Sequence, residues 1–517
     1  MNTITINPTF TDPLVPPPSL ASINEFFNNF SSVTSYDLSL YVYESFLKQI
    51  KKTNNNLFNN NTIGIKSIIK EYIELGINEK RIYELNNNNF GRCYIKNNEF
   101  YPQSNLTKSL DIFSKSRTAK ILKEFFNQNS NSFEKADIIA ITASYDSQIL
   151  SLLYISKVLK KEYPKIRIII GGVAVSWLSD YISNLEISNT IDFFFTGDLP
   201  KFDKDIEQSF INIITKNTNK LINRHLLSIN GTLHNTDGSG YLFLPLNRYW
   251  GHIPLLSLTI SRGCYYSNCS FCSYGFIKEN KYESETTINA FNKLKTHTEL
   301  LKINVFNLES DCIRINEIED ISDKIIKEKL NVKWHISLRF ENRLDYNVLQ
   351  KLYNAGCRRL YFGFESASKQ ILKKMKKGIN LTTVQRILSD CKSIGIGVEI
   401  GVIYGFPGET KEDAKKTYEF LKKNYDLIHR CDTSYFHLET NSEIEKKPND
   451  FDVEIIGRST NYNTFLWKDK NNYEHSKHYY SLTNDLFIKK HILEITEDIL
   501  LVNLFGVNNV EKTIRNL

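Results

Sequence analysis

The chain has 517 residues, 41% hydrophobic, 24% charged and 12% aromatic, the profile of a globular protein of two to four domains and not of a disordered, collagen-like or disulfide-stapled chain. With 65 basic and 58 acidic residues the net charge is +7, and no long basic block demands nucleic acid as a partner. No apolar run approaches the ~18 residues of a membrane span, and the first Lys or Arg is Lys48, so the positive n-region of a secretory signal is missing; the expectation is a cytoplasmic protein without a membrane partner.

Thr3 to Ile6 reads as a short strand, followed by an extended loop through Pro8, Pro13, Pro16, Pro17 and Pro18, because proline cannot sit inside a helix. Asparagine runs at 54–56, 59–61 and 86–89 have no packing value, and the region from about 51 to 130 reads as an insertion or a poorly ordered lobe. From Ala136 the apolar runs DIIAITAS, IRIIIGG and IDFFFTG, with the helical segment SQILSLLYISKVLKKEY between the first two, alternate as strand and helix. That rhythm means a doubly wound, Rossmann-like parallel sheet over residues 1–215. Gly171 and Gly172 fall at the carboxyl end of a strand, where open α/β sheets bind ligands; a tight strand-to-helix turn explains them equally well.

Residues 216–254 carry a hairpin-like turn signal at 235–240 and read as a connection. Beyond it, strand candidates at Leu255–Ile260, Ile303–Leu308, Trp334–Phe340, Leu360–Phe364, Val398–Ile403 and Ser434–Leu438 are each separated by a helix-compatible segment. Six such units over 255–440 make a partial or full β/α barrel with its chemistry at the strand carboxyl ends. A small α-rich C-terminal extension covers 441–517; its EHSKHYY stretch, with His475, His478, Tyr479 and Tyr480, reads as a solvated loop, or as a cap on the barrel.

Three of the eight cysteines, Cys264, Cys269 and Cys272, lie on the loop that follows the first barrel strand, spaced C-x4-C-x2-C. Such clustering suggests a metal before a disulfide. Structural zinc normally takes four protein ligands, and the nearest histidines are His252, upstream of the strand, and His297. Three thiolates suit a cubane iron-sulfur cluster with one iron left open, with zinc as the alternative. No second C-x2-C pair follows Cys272, so one cluster is expected.

The motifs SRGCYYSNCSFC, WHISLRFENRL, LQKLYNAGCRRLYFGFESASKQILKKMKKG and GIGVEIGVIYGFPGETKEDAKKTYEFL occur in an order that resembles the radical S-adenosylmethionine (SAM) enzymes, in the group with an N-terminal cobalamin-binding-type domain. The commoner spacing in that family is C-x3-C-x2-C, so the extra residue is a departure. The resemblance implies that Cys264, Cys269 and Cys272 hold a 4Fe-4S cluster whose open iron takes SAM, and that reduction cleaves SAM to a 5′-deoxyadenosyl radical. It further implies that Phe271 packs on adenine, Arg339 pairs with the SAM carboxylate, Glu365 and Ser366 read the ribose, and Gly405, Phe406, Pro407 and Gly408 pass the adenine. Glu309 or Asp311 stands where the family often binds the SAM ammonium. A core aromatic, a structural hydrogen bond and plain turn geometry are the simpler explanations of these residues. The lysines of LKKMKKG read as a solvated helix end.

The opening INPTFTDPLVPPPSLA and the 136–215 region resemble the cobalamin-binding domain, with Ser144, Gly171, Gly172 and Gly197 along one edge. The first histidine is His225, so a lower axial histidine from this region is not expected. Where relatives carry a GEGE-like stretch this chain reads TGDLP. The resemblance thus implies cobalamin-dependent methylation of an unactivated carbon in a peptide or other small molecule, with an electron donor such as flavodoxin or ferredoxin. The alternative is radical SAM cyclisation, epimerisation or rearrangement without cobalamin. A zinc-holding, non-catalytic protein explains none of the SAM-site matches.

Overall fold

The computed structural model describes residues 1–9, 16–45, 110–145, 148–196, 238–249, 255–273, 282–458, 464–469 and 474–493, apart from residues 43 and 112, with short pieces at 208, 210–212 and 221–223. The asparagine runs, Gly197 and His225 lie outside them. The chain divides into two compact units at Pro254/Leu255.

The first unit contains β1 (Asn2–Asn7), α1 (Pro18–Asn28), β2 (Ser32–Asp37), α2 (Arg117–Gln128), α3 (Ser130–Glu134), β3 (Ile138–Thr142), α4 (Ile149–Glu162), β4 (Arg167–Gly171), α5 (Val173–Ser183), β5 (Phe193–Thr196) and β6 (Leu221–Asn223). Its strands form one parallel sheet in the order β2-β1-β3-β4-β5-β6. The reversal beside β1 is the signature of a doubly wound sheet, in which helices cover both faces and central strands read as continuous apolar runs. IIAIT of β3 is buried at every position.

Two segments differ from the sequence expectation. The end of the supposed insertion, from residue 117 to about 130, is core: Ser116 caps α2 through the Ala119 amide, and Ile121, Leu122, Phe125 and Phe126 join the main apolar cluster with Phe133, Ile139 and Leu153. The helix starts at a serine cap and repeats apolar residues at helical spacing, a signal hidden by the adjacent low-complexity runs. Part of the supposed connection, 238–249, packs inside the first unit, where Asn24 Nδ2 donates to the Gly240 carbonyl at 3.1 Å and Arg248 pairs with Glu44 at 2.5 Å.

The second unit opens with β7 (Leu255–Thr259), β8 (Ser261–Arg262) and β9 (Glu283–Ser284), and continues with α6 (Thr287–Leu301), β10 (Val305–Glu309), α7 (Ile315–Lys327), β11 (Lys333–Leu338), α8 (Tyr346–Asn354), β12 (Cys357–Glu365), α9 (Lys369–Lys374), α10 (Leu381–Ile394), β13 (Gly397–Tyr404), α11 (Lys411–Lys423) and β14 (Arg430–Tyr435). Its six-stranded parallel sheet runs in sequence order, β7-β10-β11-β12-β13-β14, a partial (β/α)6 TIM-like barrel. Side chains placed just before the helices fix their starts: Thr286, Asp345, Ser368, Asn380 and Thr410 each accept a first-turn amide.

Alternation along β11 puts Trp334, Ile336 and Leu338 in the buried layer, while His335 and Ser337 face the concave side of the sheet. The C-terminal extension adds a three-stranded antiparallel sheet, β15 (Leu438–Glu439), β16 (Glu454–Arg458) and β17 (Thr464–Lys468), and a short α12 (Glu443–Lys446), to its helix α13 (Glu474–Leu493). EHSKHYY begins α13 and is not a solvated loop: Ser476 is fully buried and Tyr479 is 8% exposed. No helix of the described residues is long and apolar enough to cross a membrane.

Candidate cofactor site

The cysteine loop begins where β8 ends. Gly263 turns the chain at φ +74, a conformation open to glycine, and its amide donates to Asp311 Oδ2 at 2.8 Å. Cys264 bridges to Cys312 in parallel register. Its thiol is pulled down to about 6 by a hydrogen bond with Cys312 and by the backbone amides of Ser267 and Tyr266, while that same bond and burial push Cys312 up. Burial raises Cys269. Cys264, Cys269 and Cys272 are partly exposed and outside any disulfide. Among the described residues no three His, Cys, Asp or Glu side chains gather round one point as a single ion requires. A cubane takes its thiolates on different irons, and three soft thiolates on one loop are the donor set that suits it.

The loop is seated on the carboxyl end of α9. The last carbonyls of a helix have no partner within it, and here four consecutive ones, from the last helical residue onward, are used. Lys374 and Met375 accept from the Ser270 hydroxyl and amide (2.9 and 3.0 Å), Lys376 from the Tyr266 hydroxyl (2.8 Å), and Lys377 from Arg339 Nη2 (2.6 Å). Gly378, at φ +67, lies where a Cβ would meet the Tyr266 hydroxyl. The Ile444 amide also donates to the Ser270 carbonyl at 3.2 Å.

The strand ends bring most of the expected residues together. Arg339, 6% exposed, has its guanidinium carbon over the Tyr266 ring, 3.4 Å from the centroid, a cation–π contact. Glu365 closes β12 at φ +65, where the register shifts between Gly363 and Glu365; a bulge re-aims a side chain in this way. Its carboxylate is held by Lys377 Nζ at 2.8 Å, and a Cβ on Gly363 would collide with both ends of that pair. Glu309 ends β10 and accepts from the Thr259 hydroxyl at 3.3 Å. Phe271 packs beside the cluster of Ile371, Met375 and Phe406, with Lys377 Nζ 5.9 Å from its ring. Gly405 turns at φ +74 and donates its amide to Glu409 Oε2 at 2.8 Å.

Ser366 is engaged elsewhere. It is fully buried, 3.1 Å from the Thr417 hydroxyl and accepting from the Ser368 amide at 3.1 Å, which is a structural junction between β12 and α11. Conversely, the LKKMKKG lysines are not simply solvated: Lys376 binds both oxygens of Glu443 at 2.6 Å and Lys377 is 8% exposed. Sequence reasoning also missed Tyr266 and Glu409. The glycine after Lys377 marked the turn; nothing in the sequence marked which lysine folds back. Below these strand ends the concave face carries His335, whose imidazole burial holds down to about 3, and the chain of ion pairs Arg359–Glu399–Arg430–Asp432.

In the first unit, Ser144, Gly171 and Gly172 meet at the carboxyl edge of β3 and β4. The Ser144 amide donates to Gln148 Oε1 at 2.8 Å. Gly172, at φ +102, has no room for a Cβ because of the Ala143 backbone, so the protein's own turn requires it. The flanking Tyr145 and Val173 are 59% and 46% exposed.

Residues 258–421 match the Radical SAM superfamily. An uncharacterized methyltransferase of Pyrococcus horikoshii is 25% identical over 317 residues, 59% of this chain and 66% of that protein. The bacteriochlorophyllide d C-12(1)-methyltransferase of Chlorobaculum tepidum is 25% identical over 180 residues, 34% and 39% of the two chains. The chain thus spans less than two thirds of the length of these relatives. Among solved structures, the radical SAM methyltransferase TsrM of Kitasatospora setae, with cobalamin and a [4Fe-4S] cluster bound, shares the fold at TM-score 0.55 and 11% identity, over 95% of this chain and 88% of that one. The cobalamin-dependent radical SAM enzyme OxsB gives TM-score 0.55 at 13% identity, over 96% and 66%. The stretch that matches the radical SAM superfamily, residues 258–421, is the one that carries the three-cysteine loop at the start of the six-stranded partial barrel.

Proposed function

We propose that the chain is a cobalamin-dependent radical SAM methyltransferase acting on an unactivated carbon of a peptide or other small molecule. The observation that carries the reading is the joint placement, at one end of the barrel, of the three-thiol loop with Arg339, Glu365 and Lys377. Cys264, Cys269 and Cys272 would hold the 4Fe-4S cluster, and residues 255–440 form the barrel that carries it. Arg339 and Lys377 supply two cations for the SAM carboxylate, Glu309 an acceptor for its ammonium, and Glu365 an acceptor for the ribose hydroxyls. Phe271 and the 405–408 turn offer adenine a flat, apolar wall. When bound, the reduced cluster supplies the electron that splits SAM homolytically, and cobalamin carries the methyl group. The electron comes from a reduced donor such as flavodoxin or ferredoxin.

The first unit is the cobalamin-binding-type domain, with the edge at Ser144, Gly171 and Gly172 beside Tyr145 and Val173 as its platform. It binds without a histidine ligand from residues 1–224, which contain none. The test is cobalamin content by mass spectrometry after anaerobic reconstitution with iron, sulfide and hydroxocobalamin and then desalting. About one equivalent is expected. Retention near zero replaces methyl transfer by radical SAM chemistry without cobalamin.

A further inference from the structure

We propose that the C-terminal helix α13 is a positioning element for the adenine end of SAM, acting through the buried carboxylate of Glu409 on the turn after β13. The inference rests on the SAM reading above. Glu409 is 0% exposed, and its Oε2 joins two partners 71 residues apart in the chain: the Gly405 amide at 2.8 Å and the Ser476 hydroxyl, on the first turn of α13, at 2.7 Å. The same turn is held at three further points. The Tyr404 hydroxyl is 2.7 Å from Thr483 Oγ1, the Gly408 amide donates to Asp469 Oδ2 at 3.0 Å, and His475 Nε2 is 3.2 Å from the Glu409 carbonyl.

Apart from the Gly405 amide, every one of these partners comes from residues 469–483, outside the β/α units that build the barrel. A helix that merely covered an edge strand would need apolar contacts alone. Instead α13 reaches the side chains of Glu409 and Tyr404 through the Ser476 and Thr483 hydroxyls and the Glu409 carbonyl through His475, and so ties down a turn with two left-handed glycines, Gly405 and Gly408, which without such ties has several conformations open to it. The other side of the turn is fixed by Phe406, packed on Ile371, Met375 and Phe436. With both sides held, the turn presents one surface to the adenine, and the ordering cost of binding is met by the fold in advance.

The experiment compares Ser476→Ala and Glu409→Gln with the parent chain, all cluster-reconstituted, by SAM equilibrium dialysis, iron per chain and deuterium exchange of the 404–409 backbone. Ser476→Ala is expected to weaken SAM binding about fivefold to tenfold, the effect of one buried hydrogen bond, and to speed exchange in the turn, with iron unchanged. Glu409→Gln keeps an acceptor oxygen and is expected to bind SAM within about twofold of the parent. If Ser476→Ala leaves both SAM affinity and exchange as they were, the clamp is wrong. If the parent chain with full iron binds no SAM, the cofactor reading falls, and unchanged exchange in Ser476→Ala then separately overturns the coupling.

Discussion

At the residue scale the site is a set of buried charges whose partners lie far away in sequence. The Glu365–Lys377 pair is about one-tenth exposed on each side, and removing one partner of such a pair costs about 3–5 kcal/mol because the other is left uncompensated. Lys377→Met is therefore expected to lower the unfolding free energy by that order and to weaken SAM binding, while Lys377→Met with Glu365→Gln recovers most of the stability in urea titration and none of the SAM affinity. Replacing Cys264, Cys269 or Cys272 by Ala is expected to abolish stable cluster loading, read as iron per chain and cluster absorbance. Cys312→Ala should retain iron, since Cys312 stands outside the three-cysteine loop and is hydrogen-bonded to Cys264.

Glu409 gives a pH dependence of definite sign. Burial pushes its carboxyl up to about 7, opposed by hydrogen bonds from Ser476 and the Gly405 amide and aided by Asp413. The folded state therefore keeps a proton that the unfolded chain, at an ordinary value of 4.5, has already released. Its contribution is greatest below pH ~4.5 and is lost as the pH rises through about 7, up to ~3 kcal/mol in all. Unfolding titrations at pH 5 and 7.5 should show this slope in the parent chain and a flatter one in Glu409→Gln.

At the scale of elements, local signals governed what was legible. In the first sheet β1, β3, β4 and β5, and in the barrel all six strands, were readable because each is a short apolar or alternating run bounded by turns, and the barrel order followed from their spacing, although β14 begins four residues before the expected Ser434; β2, whose SVTSYD is largely polar and fully buried at no position, and the three-residue β6 were not. Helix α2 was obscured because its cap and apolar spacing sit next to asparagine-rich sequence. Its role in the core predicts that Phe126→Ala, at a side chain 1% exposed, costs about 3–5 kcal/mol, which chemical denaturation would register; an effect below 1 kcal/mol would mean the helix does not belong to the core. Helix α13 was missed for another reason. Its buried face mixes Ser476, Tyr479, Thr483 and Phe487, so it carries no apolar stripe, and its interior contacts are hydrogen bonds and ring pairs such as Phe487 on Tyr425, 5.4 Å between centroids.

At the scale of the whole molecule, two compact units predict two ligand-sensitive transitions. A ligand stabilises the unit that binds it by RT ln(1 + [L]/Kd). In calorimetry of reconstituted protein, SAM is expected to raise one transition and hydroxocobalamin the other; a shift of both together by either ligand would mean that the units do not unfold separately.

The sequence by itself determined the two parallel α/β sheets, the cysteine loop and the polar residues at the strand ends, because these depend on periodicity and spacing within some tens of residues. Only the tertiary structure decided that Lys377 faces Glu365, that Ser366 serves the β12–α11 junction, and that α13 reaches back to Glu409. Those choices depend on which side of a bulge or a left-handed turn a side chain leaves. A bulge of one residue reverses that direction without leaving a mark on the local pattern.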